Sequence, residues 1–476
     1  MRTRQREEDR RMNPEVGRES AKLNEALKRY LAFLEARGLV PRTETISVRD
    51  AIGRISASAA YAKTPCVVHS GQASADDGVS SGRMLLQSYR EIEPERIAAL
   101  LASGVETVSV LGKPRVGIIV VSNDAADGSA DSVAALYCAM LARWGAEGVV
   151  IGGIACKPDA LESALRHAAE DCDLVLVNMD ASQGNPAEML RLFGEVCVAG
   201  IAIQPGGDTL LGAIHAVPVV CASCDPAGGI VVLEELVKPV LDWLLMRERT
   251  VAESVCVKMG IDFASAPDVR EFVRARLGFD PVGSLSVLPI AAGEIDLGSL
   301  DRADCILDVP FGCTGYAAGE RAHVRLLKPI DRIARTIRIC GCYDPFLDEA
   351  ADELRRADIR AYVAYDVTDN ERALEAVQRG ECQLCGLLLP DHVDGIAYVK
   401  QHNPEGGMAL VEGVCITQDD TPLAQMYDLL ISLSAMENPQ VRAFLRVLGS
   451  EGFLRRLDAR GGYRYDKPGK IKKIWP

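Results

Sequence analysis

The chain has 476 residues, 48% of them hydrophobic and 25% charged, with a formal net charge of −14 at pH 7. A single hydrophobic core stops growing beyond roughly 250–300 residues, so a chain of this length is expected to form several domains. The acidic balance argues against a nucleic-acid binder, because phosphate contacts need a basic face. No apolar run approaches the roughly 20 residues of a membrane span, and the charged N-terminus lacks the apolar core of a secretory signal. We therefore expect a cytoplasmic protein without a membrane segment.

Changes in residue pattern divide the chain into five segments. Residues 1–18 form a polar tail, and residues 19–112 combine an amphipathic helix, a strand and a loop rich in Ser, Gly and Asp. Residues 113–246 alternate apolar runs with helical patterns, residues 247–328 carry short strands between Gly, Pro and Asp, and residues 329–476 return to the alternating pattern. Such alternation is typical of parallel sheets covered on both faces. The predicted fold class is α/β: a three-layer parallel-sheet domain, a small β domain and a C-terminal α/β lobe.

The predicted elements follow the order of these segments. The first is the amphipathic helix, between residues 20 and 38. The sheet domain has strands that begin at Arg115, Gly148, Asp173 and Val217, and helices at residues 131–145, 158–170, 186–193 and 230–245. The lobe has strands at residues 336–344, 359–367 and 382–390, helices at 345–357, 370–379, 423–434 and 439–448, and a basic run, 467–473, that is interpreted as a solvated tail.

Ligands of open parallel sheets bind beyond the carboxyl ends of the strands. One of these ends is Cys221-Ala222-Ser223-Cys224, followed by Asp225 and Pro226. The motif fits a metal site, a redox pair or a ligand loop whose original residues have been replaced. A structural zinc site needs four ligands, and a second pair, Cys382 and Cys385, lies in another segment, three residues apart on a predicted strand, where side chains point to opposite faces. Packing is therefore the favoured role of Cys221 and Cys224, with metal binding as a speculative alternative.

Several longer stretches carry a resemblance to a known family. They are Ser74–Gly78 (SADDG), residues 97–121 (IAALLASGVETVSVLGKPRVGIIVV), residues 268–278 (DVREFVRARLG), residues 293–327, which include CILDVPFGCTGYAAGERAHVRLL, and residues 441–470. Together they resemble the MoeA-type (gephyrin E-domain-like) molybdopterin molybdenumtransferases that carry a periplasmic-binding-protein-like C-terminal domain.

The resemblance implies a role for each segment. Residues 19–112 correspond to the family's subdomain I, with subdomain II missing, and residues 113–246 to a molybdopterin-binding-like domain. Residues 247–328 correspond to subdomain IV, and residues 329–476 to a shortened binding-protein-like lobe. A homodimer and contacts with molybdenum cofactor maturation proteins are implied in the same way.

The family activity is the insertion of molybdate into adenylated molybdopterin, with Mg²⁺. By resemblance, Asp124 and Asp77 are the catalytic residues and Asp124 is also the Mg²⁺ ligand. The residues implied in binding molybdopterin or its adenylate are Ser122, Ser182, Gly184, Pro205, Gly206, Asp225 and Pro226.

Departures from the family motifs predict weakened or lost catalysis. Ala125 stands where the family has a glutamate, and Met179 adds bulk where backbone must approach a phosphate. The turn at residues 204–208 has lost both family lysines and gained Asp208, which repels an anion. One alternative is a non-catalytic small-ligand-binding or scaffold protein in molybdoenzyme maturation, and a metal–thiolate protein is the third hypothesis.

Overall fold

The computed structural model confirms an α/β protein. It describes residues 22–65, 80–121, 129–154, 157–179, 186–222, 225–249, 253–279, 285–290, 302–402, 407–417 and 424–476. The chain divides into two compact units. The first contains Met1–Val251, Pro267–Phe272 and Pro310–Gly312, and the second contains Ala252–Ala266, Val273–Val309 and Cys313–Pro476.

The first unit is built around a six-stranded sheet. Its helices are α1 (Leu23–Glu35), α2 (Pro94–Ala102), α3 (Ser129–Arg143), α4 (Pro158–Asp171), α5 (Pro186–Phe193), α6 (Pro226–Val232) and α7 (Lys238–Leu244), with a π-helical turn at Leu233–Val237 and a 3-10 turn at Val48–Asp50. Its strands are β1 (Thr43–Ser47), β2 (Ala60–Tyr61), β3 (Met84–Leu86), β4 (Thr107–Leu111), β5 (Arg115–Val121), β6 (Glu147–Ile154), β7 (Leu174–Asn178), β8 (Glu195–Ala199), β9 (Ile203–Gln204), β10 (Leu210–Ile214) and β11 (Val217–Ala222).

The strand order of this central sheet is β6-β5-β7-β11-β10-β8. The four strands predicted from apolar runs, β5, β6, β7 and β11, are parallel neighbours. The sequence analysis missed β8 and β10, and β10 is antiparallel to both of its neighbours. The sheet is therefore mixed at one side, while the parallel part that presents the strand ends is as predicted.

Helix α1 packs on the antiparallel side of the central sheet through Tyr30. This side chain is fully buried, and its hydroxyl lies 2.9 Å from the carbonyl oxygen of Gly212 and 3.1 Å from that of Val219. Burial raises the pKa of Tyr30 well above its usual value, so the phenol stays protonated. The predicted amphipathic helix is confirmed, and its aromatic hydroxyl supplies a donor to the sheet.

The second unit combines a β-barrel with an α/β lobe. The barrel strands are β12 (Ser254–Met259), β13 (Phe263–Ala264), β14 (Arg270–Phe279), β15 (Leu285–Pro289), β16 (Cys305–Val309), β17 (Gly315–Tyr316) and β18 (Arg321–Leu326). The lobe contains α8 (Ile330–Ala334), β19 (Thr336–Gly341), α9 (Phe346–Ala357), β20 (Tyr362–Val367), α10 (Asn370–Gln378), β21 (Leu384–Pro390), α11 (Gly395–His402), β22 (Met408–Ile416), β23 (Gln425–Ser432), a 3-10 turn (Ala435–Glu437), α12 (Pro439–Leu448), α13 (Glu451–Arg460), β24 (Tyr463–Arg464) and β25 (Ile471–Trp475).

The small β region closes on itself. Its strands follow the order β15-β12-β18-β16-β14, and an antiparallel pairing of β14 with β15 completes the ring. Buried side chains such as Val257, Ala275, Leu307 and Val324 fill the interior. Alternate residues of each strand therefore face outward.

The lobe corrects three sequence-based expectations. Its sheet order is β20-β19-β21-β23-β22-β24, with β25 also paired to β22. Residues 425–432 form strand β23 and not the predicted helix. The prediction was wrong because a short apolar run fits a buried strand as well as a helix. The basic run is no solvated tail, since β25 pairs with β22 and Lys472 donates to Asp428 at 2.8 Å. Cys382 precedes β21, so strand alternation does not separate it from Cys385, and both lie in one buried cluster with Cys340.

Buried ion pairs join the barrel to the lobe within the second unit. The Asp304 side chain is 2% exposed and accepts hydrogen bonds from the backbone N–H of Leu277 at 3.1 Å, from Lys328 Nζ at 3.3 Å and from Arg338 Nη2. Arg276 Nη1 lies 2.6 Å from Asp366 Oδ2. Because a buried charge is costly without its partner, these pairs fix how barrel and lobe pack.

Within the described ranges, no helix combines the length and the apolar character needed to cross a membrane.

Replacing Asp304 by Asn should destabilise the second unit. The change leaves Lys328 and Arg338 without their shared carboxylate, and breaking a buried pair costs about 3–5 kcal/mol. Glu375→Gln is the control, because its pair with Arg379 is exposed on both sides and such pairs contribute at most about 1 kcal/mol. Urea unfolding of both variants measures the difference, and equal midpoints would contradict the assigned role.

Tyr30→Phe should destabilise the first unit by about 1–3 kcal/mol, because the one buried O–H that two carbonyl oxygens share is lost. The raised pKa adds a pH dependence: the unfolded tyrosine ionises above about pH 10 and the buried one does not, so the advantage of the wild type should shrink as pH rises further. Urea titrations at pH 7 and pH 10.5 test both points, with the exposed Tyr61→Phe as control. A constant difference across this pH range would contradict the buried-phenol account.

Candidate functional site

The candidate site lies at the carboxyl edge of the parallel strands β5, β7 and β11. These strands end at Val121, Asn178 and Ala222, and α6 begins at Pro226 shortly after β11. Six of the predicted site residues lie outside the described residues, and their roles stay predictions: Asp77, Ser122, Asp124, Ser182, Gly184 and Cys224. Those that the structure describes are Pro205, Gly206, Cys221, Asp225 and Pro226.

Pro205 and Gly206 form a tight turn after β9. Gly206 has a φ of +94°, a conformation that glycine adopts without strain. The Thr209 hydroxyl donates to the Gly206 carbonyl at 2.7 Å, and the Gly207 carbonyl accepts from the N–H of Ile201 at 2.9 Å. These hydrogen bonds hold the turn in place. The Thr209 hydroxyl proton is donated within the turn and is therefore not directed at a ligand.

Asp225 and Pro226 begin α6. The Asp225 carboxylate accepts hydrogen bonds from the backbone N–H of Ala227 at 3.2 Å and of Gly228 at 2.9 Å, which makes it the N-cap. Pro226 occupies the first helical position, where a missing N–H costs nothing. Both residues have a local structural role, and the cap places a negative charge at the helix N-terminus.

The two loops pack directly against each other. A Cβ at Gly206 would lie 3.1 Å from Val232 Cγ2 and 3.4 Å from the Gly228 carbonyl, and a Cβ at Gly228 would lie 3.3 Å from the Gly206 backbone nitrogen. A side chain at either position would crowd this approach of turn and helix, and the positive φ of Gly206 adds strain for any other residue. The structure therefore places the Pro205–Gly206 turn against the first turn of the helix that Asp225 and Pro226 begin.

Tyr137, a residue that the sequence analysis missed, supports the same edge from α3. Asn178 Nδ2 donates to the Tyr137 hydroxyl at 2.9 Å, and both side chains are buried. A Cβ at Gly229 would lie only 1.9 Å from that hydroxyl oxygen, so a glycine is required there. The available signal was spacing, since Tyr137 lies four residues from both Val133 and Leu141 on the predicted buried face.

Cys221 is a core residue of the central sheet. It packs in an apolar cluster with Ile119 and Val177, and burial raises the pKa of its thiol to about 12. A metal ligand must be a thiolate, so this environment favours packing over metal binding. Across the described part of the chain, no group of three or more His, Cys, Asp or Glu side chains could hold a metal ion.

Comparison with known proteins shows which proteins the chain resembles. Residues 257–327 match the family model of the MoeA C-terminal region (domain IV). The chain is 26% identical over 267 residues to the molybdopterin molybdenumtransferase of Bacillus subtilis (strain 168), a match that covers 53% of this chain and 61% of that protein. It is 24% identical over 273 residues to molybdopterin molybdenumtransferase 1 of Mycobacterium tuberculosis, covering 53% and 64%. The chain thus spans less than two thirds of the length of these relatives.

A solved structure shares the fold. The molybdopterin biosynthesis MoeA protein of Pyrococcus horikoshii superposes with a TM-score of 0.52 at 19% sequence identity, over 65% of this chain and 100% of that one. The domain IV match lies in the barrel, and the structural match extends beyond it. The predicted resemblance is therefore supported: residues 257–327 match MoeA domain IV, and the chain is similar to MoeA-type proteins in sequence and fold.

Proposed function

We propose that this protein acts in molybdenum cofactor biosynthesis as a molybdopterin molybdenumtransferase-like protein. Its ligand is molybdopterin or its adenylate, bound at the carboxyl edge of the central sheet. The observation that carries the proposal is the domain IV match over residues 257–327 in a chain with a MoeA-type fold. The convergence of Gly206 with Gly228 at the strand ends supports the position of the site.

The second part of the proposal is that molybdate insertion is weakened or lost. Stabilising an oxyanion requires donors aimed at it. In the described part of the edge, the N–H groups of Ala227 and Gly228 donate to Asp225, and the Thr209 hydroxyl donates to Gly206. Asp208 and Asp225 add negative charge beside the turn and the helix. A dianion such as molybdate is therefore poorly stabilised on this side of the crevice.

Mg²⁺ is implied by resemblance only. Hard cations prefer carboxylate oxygens, and the implied ligand is Asp124. Asp225 is the described carboxylate at the start of α6. Each of its oxygens accepts a hydrogen bond from a backbone N–H of the helix. Among the described residues no group of three or more His, Cys, Asp or Glu side chains could hold Mg²⁺, and Asp124 lies outside them. Cytoplasmic location, a homodimer and contacts with cofactor maturation proteins belong to the same proposal.

The alternative function is a non-catalytic small-ligand-binding or scaffold protein in molybdoenzyme maturation. The observation that favours it is that the Thr209 hydroxyl and the Gly228 N–H donate to other groups of the protein. Without those hydrogen bonds, the same donors could hold an oxyanion. Under this alternative the pterin binds and no molybdate is inserted.

Calorimetric titration with molybdopterin, followed by a molybdate-dependent turnover assay, tests the proposal. We expect saturable pterin binding and a turnover at least about 100-fold below that of the Bacillus subtilis relative, the size of effect seen when one oxyanion donor is lost. A chain that does not bind the pterin would refute the proposed ligand. Turnover equal to that of the relative would refute weakened catalysis, and binding without any turnover would select the alternative.

Asp225→Asn should raise the affinity for adenylated molybdopterin. Asn caps helices about as well as Asp, so stability should change little while one negative charge is removed. A like charge near a partly exposed site is worth roughly 1 kcal/mol, which corresponds to an affinity gain of about three- to tenfold.

The matched control for this variant is Asp369→Asn. Asp369 caps α10 in the second unit by accepting from the N–H of Arg372 at 2.9 Å. It should share any effect of cap chemistry on stability and leave ligand affinity unchanged. An equal affinity gain in both variants, or none in Asp225→Asn, would contradict the electrostatic role of Asp225.

A further inference from the structure

Strands β12 and β18 of the barrel present a polar outer face. Along β12 the side chains of Cys256 and Lys258 are exposed, while those of Val257 and Met259 are buried in the barrel. Along β18 the same alternation exposes His323 and buries its two neighbours. Alternate side chains of a strand point to one face, so these exposed residues share the outer surface.

The register of the two strands pairs the outward residues directly. Cys256 lies opposite His323, and Lys258 lies opposite Arg321. Directly opposed residues of an antiparallel pair have Cβ atoms about 4.5–5.5 Å apart. An imidazole is therefore within reach of the Cys256 thiol, beside two exposed cations.

Lys258 and Arg321 are exposed cations on this surface, although the chain as a whole carries a net charge of −14. Arg325 is a further cation on β18, and its Nε lies 3.8 Å from Asp308 Oδ2. The nearby Glu320 turns its carboxylate to the backbone N–H of Ala317 at 2.9 Å. Because Asp308 offsets Arg325, the two cations that flank the thiol are Lys258 and Arg321.

Cys256 differs from the other described cysteines. It is exposed, whereas the remaining described ones are buried or half-buried. Reactive thiols are typical of electropositive, accessible surroundings, and buried thiols are inert. The surface that combines Cys256, His323, Lys258 and Arg321 is called the thiol patch below.

We propose that the thiol patch is a modification site for small anionic disulfides of the glutathione class. The Cys256 sulfur attacks one sulfur of the disulfide, a new S–S bond forms, and the original S–S bond breaks. His323 accepts the thiol proton and returns it to the departing thiol, so no further oxidant is needed. Lys258 and Arg321 bind the carboxylates of the incoming molecule. The inference is independent of the proposed pterin function.

The first test compares two disulfides of opposite charge on the full-length reduced protein. Oxidised glutathione and cystamine are incubated separately with it, and peptide mapping by mass spectrometry locates the adducts. We expect Cys256 to be the first cysteine modified, with glutathione reacting roughly tenfold faster than cystamine and losing this advantage at high salt. Earlier modification of half-buried Cys415, or equal rates for the two reagents, would overturn the proposal.

Variants separate the two roles within the thiol patch. Cys256→Ser should abolish the first adduct, whereas Cys415→Ser should retain it. Lys258→Gln combined with Arg321→Gln should lower the glutathione-to-cystamine rate ratio several-fold. His323→Gln should slow both reagents by the same factor, since proton transfer does not depend on the reagent's charge. An unchanged ratio in the double variant, or an unchanged rate in His323→Gln, would refute the corresponding role.

Discussion

The contact between Gly206 and Gly228 is the constraint on which the candidate site depends. It sets the distance between the turn after β9 and the first turn of α6, and a single Cβ at either residue would meet backbone or Val232. In the same helix turn Asp225 caps α6, and Gly229 lies against the Tyr137 hydroxyl. The shape of the edge is thus fixed by backbone packing, and its chemistry is left to a few side chains.

Charge determines what this shape can bind. The helix N-terminus is a natural site for an anion, and here the chain supplies its own anion in Asp225. A carboxylate has a similar structural role in the second unit. There the buried Asp304 accepts hydrogen bonds from a backbone N–H and from two cationic side chains. In both places a buried or half-buried carboxylate organises the structure around it, which limits its availability for a ligand.

The sequence predicted the elements whose signal is local. Apolar runs revealed β5, β7 and β11, and the turn at Gly206 packs against Gly228, in the helix that Asp225 and Pro226 begin. Other features depend on partners far along the chain. The sequence of residues 425–432 is compatible with a helix or a strand, and their pairing with β21 and β22 is what makes them a strand. Lys472 looks like a solvated cation in the sequence, whereas in the structure it donates to Asp428. Tyr137 was missed because its partner, Asn178, lies on a different element.

The pairing of β25 with β22 has a consequence for how the lobe is made. On the side away from β23, four residues of β22, from Met408 to Val411, pair with residues 471–475, about sixty positions later in translation. While the ribosome adds the intervening stretch, that flank of the sheet offers bare amide and carbonyl groups to any neighbouring nascent chain. This edge of the lobe is therefore closed only late in its synthesis, after the inner strands have already emerged.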